Sequence, residues 1–116
     1  MFQTMVRDFA TTTIKPVAAR IDEEGEFPAD IIKKAGELGL FGITISEKYG
    51  GSGGDYLSMA IAAEELSRAS ASVGAIFLAN LSLACYPIYK FGNEEQKKKY
   101  VPAIARGEKL VCFGLT

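Results

Sequence analysis

ASVGAIFLANLSLACYPIYKF occupies residues 71–91, and no charged side chain lies between Arg68 and Lys90. Val73, Ile76, Phe77, Leu78, Leu81 and Leu83 fall on every side of a helix rather than along one stripe, which predicts burial all round. About twenty apolar residues also suffice to cross a bilayer. Ser70, Ser72, Gly74, Asn80, Ser82, Tyr86 and Pro87 argue against that reading, as does the lack of a basic cluster on either flank. A central core helix is the expectation. Each large apolar side chain fully buried there contributes roughly 1.5–3 kcal/mol.

On both sides of this run the chain reads as helices punctuated by glycine. Phe2, Met5, Val6, Phe9, Ile14, Val17 and Ile21 have helical spacing, with a kink or break expected near Pro16 and an end at Gly25. A short helix fits Ala29 to Leu38, with Pro28 at its first turn and Gly39 past its end. Gly36 inside it costs about 1 kcal/mol relative to alanine, which close packing would explain. Leu40 to Ser46 is apolar and partly β-branched, consistent with a short extended stretch. Tyr49-Gly50-Gly51-Ser52-Gly53-Gly54 is a loop by composition. Asp55 is placed to cap a helix from Tyr56 to about Ser67, with Leu57, Ile61 and Leu66 as its inward stripe and Glu64, Glu65 and Arg68 as its polar edge. Asn93 and Gln96 form a capping box for the last helix, with Glu94 and Glu95 in its first turn and Gly107 as its stop. The whole predicts an all-α domain over residues 1–116, a five-helix orthogonal or up-down bundle around one apolar central helix at about residues 71–91.

The totals agree. A chain of 116 residues with 48% hydrophobic and 23% charged residues suits one globular domain. A net charge of −1 gives no broad attraction to nucleic acid or to an anionic membrane. With two cysteines and no histidine, a zinc site lacks ligands. Cys85 and Cys112 could pair, but free buried thiols in a reducing compartment are the simpler reading. Arg7 and Asp8 sit in a helical pattern rather than a signal-like one, so cytoplasmic residence is expected, or an organellar matrix if a transit peptide has been removed.

No self-contained active site emerges from the residues. The loop at 50–54 lacks the Gly-Lys-Ser/Thr ending and the Gly-x-Gly-x-x-Gly spacing of phosphate cradles, and reads as a tight connection needing positive φ. Adjacent Glu64 and Glu65 point roughly 100° apart on a helix and cannot work as a carboxylate pair; a solvated edge or a Glu64–Arg68 ion pair is expected. Lys97, Lys98 and Lys99 read as an exposed face balanced by Glu94 and Glu95. The serines have no histidine to activate them. No catalytic residue is assigned.

Ile14-Lys15-Pro16-Val17-Ala18, Gly36-Glu37-Leu38-Gly39-Leu40, Glu47-Lys48-Tyr49-Gly50-Gly51-Ser52-Gly53, Glu64-Glu65-Leu66-Ser67-Arg68, Phe91-Gly92-Asn93-Glu94-Glu95-Gln96-Lys97-Lys98-Lys99-Tyr100 and Phe113-Gly114-Leu115-Thr116 follow one another in an order and spacing that resembles the acyl-CoA dehydrogenase family. Tyr49–Ser58 is most similar to its short-chain, butyryl-type branch; Ser46 departs from the proline common there. The resemblance implies an N-terminal helical domain, with the middle β-domain and the C-terminal helical domain absent from these residues. In that family FAD takes a hydride from the β-carbon of an acyl-CoA after a carboxylate removes the α-proton, electrons pass to an electron-transferring flavoprotein, and the enzyme is a homo-oligomer.

Carried over by position, Phe113 and Leu115 would line the flavin ring. Thr116 would offer its hydroxyl near flavin N5, where a donor stabilises developing charge. Ala75, Ala79 and Leu83, four apart on one helix face, would line the acyl chain. Beside these stand plainer readings: Phe113 and Leu115 as a tail closing the bundle, and the alanines as a close-packing surface. FAD is not expected to be held by this chain alone, and the isolated chain is expected to be inactive for want of the catalytic base. The alternative is a non-catalytic helical module for interaction or oligomerisation.

Overall fold

The computed structural model describes residues 1–116 and is all helix and turn. Five continuous helical runs, 2–24, 29–37, 56–69, 71–91 and 94–105, make the bundle. The first comprises α1 (Phe2–Phe9), a π-helical segment (Ala10–Ile14), a 3-10 turn (Lys15–Val17) and α2 (Ala18–Glu24). Next come α3 (Ala29–Glu37) and α4 (Tyr56–Ala69). The long apolar run divides into α5 (Ala71–Leu78), a second π-helical segment (Ala79–Cys85) and α6 (Tyr86–Phe91), and α7 (Glu94–Ala105) closes the set.

Both π segments stop just ahead of a proline, Pro16 and Pro87. Proline has no N–H to give the ladder, and its ring crowds the carbonyl four residues back. Widening the preceding turn to an i→i+5 pattern lets the run continue instead of breaking. The helix stops and starts follow local chemistry. Gly25 takes a left-handed φ of 61° at the end of α2. Asp55 accepts the Ser58 amide at 2.8 Å. At α7 the two halves of the capping box, Gln96 N–H to Asn93 and Asn93 N–H to the Gln96 side chain, are each 2.9 Å.

The first run buries Val6, Phe9, Ile14 and Ile21, with Phe2, Met5 and Val17 half-buried against the same core. Leu40–Ser46 is not extended. It coils through a 3-10 turn (Leu40–Gly42), with the Gly42 and Ile45 amides bonding three residues back. Tight turns rather than pleat alternation therefore aim Leu40, Phe41, Ile43 and Ile45 inward. The glycine loop folds onto this segment: the amides of Ser52, Gly53 and Gly54 donate to the carbonyls of Gly42, Ile45 and Ile43 at 2.9, 2.8 and 2.7 Å. Those amides are committed to the chain's own carbonyls, so the loop is a connection and not a phosphate cradle. Gly36 has the expected packing reason. A Cβ there would lie 2.6 Å from Gly107 Cα and 2.7 Å from the Arg106 carbonyl.

Two expectations about burial are corrected. The long apolar helix is not buried all round: Val73, Phe77, Leu81 and Cys85 are core, while Leu83 is 57% exposed and Ala75 and Phe91 also face outward. The body measures 41 × 37 × 21 Å. Its thin dimension holds two helix diameters of about 10–12 Å, so no helix has neighbours on every side. By length and composition Ala71–Phe91 could cross a membrane, but its inward stripe is the centre of the core, packed on α4 and α7. On α4 the inward stripe is Ala62, Glu65 and Leu66, whereas Leu57 is exposed.

Candidate functional site

The chain leaves α7 through Gly107, at φ 72°, and the Glu108 and Lys109 amides turn back to the Ala103 carbonyl at 2.9 and 3.2 Å. From there it has no regular structure. Val111 is half-buried against the core, and its N–H donates to Asn80 Oδ1 at 2.9 Å. Beyond that anchor Phe113 and Leu115 are 58% and 82% exposed, and Thr116 is exposed as well. They do not close the bundle. The segment presents an aromatic ring, a branched aliphatic chain and a hydroxyl within four residues, none committed to the core. That set suits one wall against a flat heteroaromatic ring with a polar edge, and in this respect the residues fit a flavin.

Ala75, Ala79 and Leu83 lie on the outward side of the long helix: Ala75 and Leu83 are exposed and Ala79 is half-buried. Ala75 is therefore not a packing residue in this chain, and Ala79 is covered only in part. Their face is open, with little side-chain bulk between Ala75 and Ala79. Ser82 is turned back on its own helix, donating to the Leu78 carbonyl at 2.7 Å. The helix and the tail meet at one polar contact, Asn80 to Val111.

The one buried carboxylate is not the ion pair anticipated. Glu65, not Glu64, is the charged residue at the helix interface, 3% exposed. Arg7 grips it with Nε to Oε2 at 3.1 Å and Nη2 to Oε1 at 2.7 Å, and Gln3 Nε2 adds a bond of 3.0 Å to Oε1. Arg68 stands 3.8 Å away. These donors, Arg7 first, hold the Glu65 carboxyl down at about 2. A carboxylate so fully engaged is a strap between α1 and α4, not a base. The Cys85 thiol is pushed up to about 11 by burial. Cys112, expected to be buried, is exposed, and both thiols are free. No group of three or more His, Cys, Asp or Glu side chains could hold a metal ion. A recess of about 630 Å³ is lined by Lys33, Gly36, Glu37, Arg106, Gly107 and Glu108. It offers no apolar side chain to an acyl chain and lies away from the Ala75–Leu83 face.

Sequence reasoning missed Asn80 and Glu65. For Asn80 the signal was present, since a lone amide in an otherwise uncharged and largely apolar helix needs a reason. For Glu65 there was none, because its partners lie 58 and 62 positions away.

The chain matches the family profile described as acyl-CoA dehydrogenase, N-terminal domain, over residues 1–108. It is 47% identical over 116 residues to a short-chain specific acyl-CoA dehydrogenase of Clostridium acetobutylicum, covering 100% of this chain and 31% of that protein. Among solved structures it is similar to butyryl-CoA dehydrogenase from Megasphaera elsdenii, with a TM-score of 0.89 and 37% identity over 94% of this chain and 29% of the other. It is also similar to an acyl-CoA dehydrogenase complexed with FAD from Bacillus anthracis, with a TM-score of 0.88 and 42% identity over 95% of this chain and 19% of the other. The chain spans about a third of the length of its curated relatives. An all-helical body, a capped α7 leading to an exposed apolar tail, and a match over nearly every residue agree: the chain belongs to the acyl-CoA dehydrogenase family and corresponds to its N-terminal helical domain.

Proposed function

We propose that these residues are the opening domain of an FAD-dependent acyl-CoA dehydrogenase of the short-chain type, which oxidises acyl-CoA thioesters between the α- and β-carbons. The observation that carries this is the match of the whole chain to the first third of such enzymes. FAD, when bound, supplies the acceptor for the hydride. This chain's own part is binding and orientation. Phe113 and Leu115 offer apolar surface to the ring, and the Thr116 hydroxyl offers a donor to its polar edge, where negative charge develops. Ala75, Ala79 and Leu83 offer a shallow apolar face to the acyl chain, with the alanines leaving room. The carboxylate that takes the α-proton comes from outside these residues. Electron-transferring flavoprotein is the proposed electron acceptor, a homo-oligomer the proposed assembly, and the cytoplasm or an organellar matrix the proposed setting.

The test is direct. The 116-residue chain, purified alone, is expected to be colourless and inactive, whereas the same residues continued by a β-domain and a second helical domain give a yellow protein that oxidises butyryl-CoA. A yellow, active isolated chain would refute the division of labour, and a continued protein that is colourless would refute the reading as a whole.

A second reading, an interaction or oligomerisation module, is favoured by the exposed Tyr56, Leu57, Leu83, Phe91, Leu110, Phe113 and Leu115. Apolar surface beyond a few hundred Å² drives association. Light scattering of the isolated chain at high concentration tests it: dimers or larger species support it, and a clean monomer counts against it.

A further inference from the structure

Asn80 and Glu65 are the two buried polar side chains. Glu65 is accounted for by Arg7 and Gln3. Asn80, 2% exposed, is accounted for only by half. An amide N–H can only donate, so the atom facing Val111 N must be the Asn80 carbonyl oxygen. The amide nitrogen is then turned into the protein, where it has no acceptor. Leucine has the same branching at Cγ, is bulkier, carries no donor to be orphaned, and matches the apolar residues around it. A buried amide donor left without an acceptor costs about 1–3 kcal/mol. Core stability therefore gives no reason for asparagine at this position. What asparagine does that leucine cannot is hold Val111.

The placement of that bond is specific. Asn80 lies in the second π segment, one residue after Ala79 and three before Leu83. Val111 is two residues before Phe113 and five before Thr116, and it is the last tail residue packed on the core. A π segment re-aims the side chains beyond it relative to an unbroken α-helix, and such segments concentrate where function needs an unusual aim. We propose that Asn80 is a positioning residue: its bond to Val111 sets the spacing between the acyl-facing helix and the cofactor-facing tail, so that Ala75, Ala79 and Leu83 are held in register with Phe113, Leu115 and Thr116. The assignment rests on the reading given above of those two residue sets.

Two variants remove the bond from opposite sides. Asn80→Leu removes the acceptor, and Val111→Pro removes the donor without touching the helix. In nitrogen-15 NMR of the chain, Asn80→Leu is expected to speed exchange of the Val111 amide at least about tenfold. Its melting temperature stays close to that of the parent, since relief of the orphaned donor offsets the added bulk. Both variants drop the order parameters of Cys112 and Phe113 toward the flexible range, below about 0.6. Unchanged exchange and order would overturn the proposal. So would an Asn80→Leu chain that unfolds while Val111→Pro keeps an ordered tail, because Asn80 would then be a core residue only. In the flavin-loaded full-length protein, Asn80→Leu and Thr116→Ala are each expected to shift the visible flavin band. If Thr116→Ala shifts it and Asn80→Leu does not, the coupling is wrong and the flavin reading stands. If neither shifts it although the tail has loosened, the flavin reading fails and the coupling fails with it.

Discussion

Leu81 and Leu83 are two residues apart on one helix, yet one is 1% and the other 57% exposed. Placing aspartate at each in turn measures how far the core reaches. At Leu81 the change forfeits about 1.5–3 kcal/mol of apolar burial. It also forces a carboxyl into the centre of the bundle. Full burial raises such a group by up to about 3–5 pH units, so at pH 7 it takes up a proton at a cost of about 4 kcal/mol, and the buried, unpartnered neutral carboxyl costs about 1–3 kcal/mol more. The total of about 6–10 kcal/mol compares with about 6–17 kcal/mol expected for the stability of 116 residues. Leu81→Asp should lower the Tm by about 25 °C or more, and should leave little folded chain at pH 7 if the stability lies in the lower half of that range. At Leu83 less than half of the side chain is covered and water reaches the carboxylate. The loss is the covered apolar area plus the lower helix propensity of aspartate, about 1–2 kcal/mol, or a drop in Tm of about 4–8 °C for a domain of this size. Thermal melts followed by far-ultraviolet circular dichroism separate the two outcomes. If both variants melt alike, the two-layer packing described for this helix is wrong.

Other outcomes follow from the contacts. The Glu65 carboxyl, held at about 2 against an ordinary 4.5, binds its proton more readily in the unfolded chain. Its contribution is complete above about pH 5 and is lost as pH falls from 4.5 toward 2. The urea midpoint should therefore fall over that window, and less steeply in Glu65→Gln; identical slopes would refute the Arg7 grip. A thiol reagent at pH 8 should modify Cys112 at once and Cys85 only after denaturation, since Cys85 is buried and pushed up to about 11. One fast equivalent per chain by mass spectrometry is the expected count. Asn93→Ala removes the cap of α7 and should cost about 1 kcal/mol, read as a shifted urea midpoint; no shift would mean the cap contributes nothing.

What was legible in the sequence was local. The caps at Asp55 and Asn93, the stops at Gly25 and Gly107 and the packing reason for Gly36 rest on neighbours a few residues apart or on a missing Cβ. The all-α bundle followed because those signals agreed with the apolar spacing. What failed was burial that depends on how many layers the body has. Leu57 and Leu83 have the chemistry of core residues, and only a slab two helices thick leaves them outside. Of the two readings of the tail, the plainer one fails: Phe113 and Leu115 looked able to close the bundle, yet both stand exposed. The π segments carry no compositional mark of their own, although the prolines that end them were visible. Asn80 with Val111 and Glu65 with Arg7 are pairings across 31 and 58 positions, beyond any spacing rule for a single helix.

Gly36 and Gly107 touch backbone to backbone, and Gly107 is where the tail begins. A missense change to any larger residue at either glycine would wedge the root of the tail away from α3. Under the function proposed above, such an allele would lower activity while altering none of the residues proposed to meet flavin or acyl chain. Lowered stability together with a loosened tail would mark it as an architectural fault.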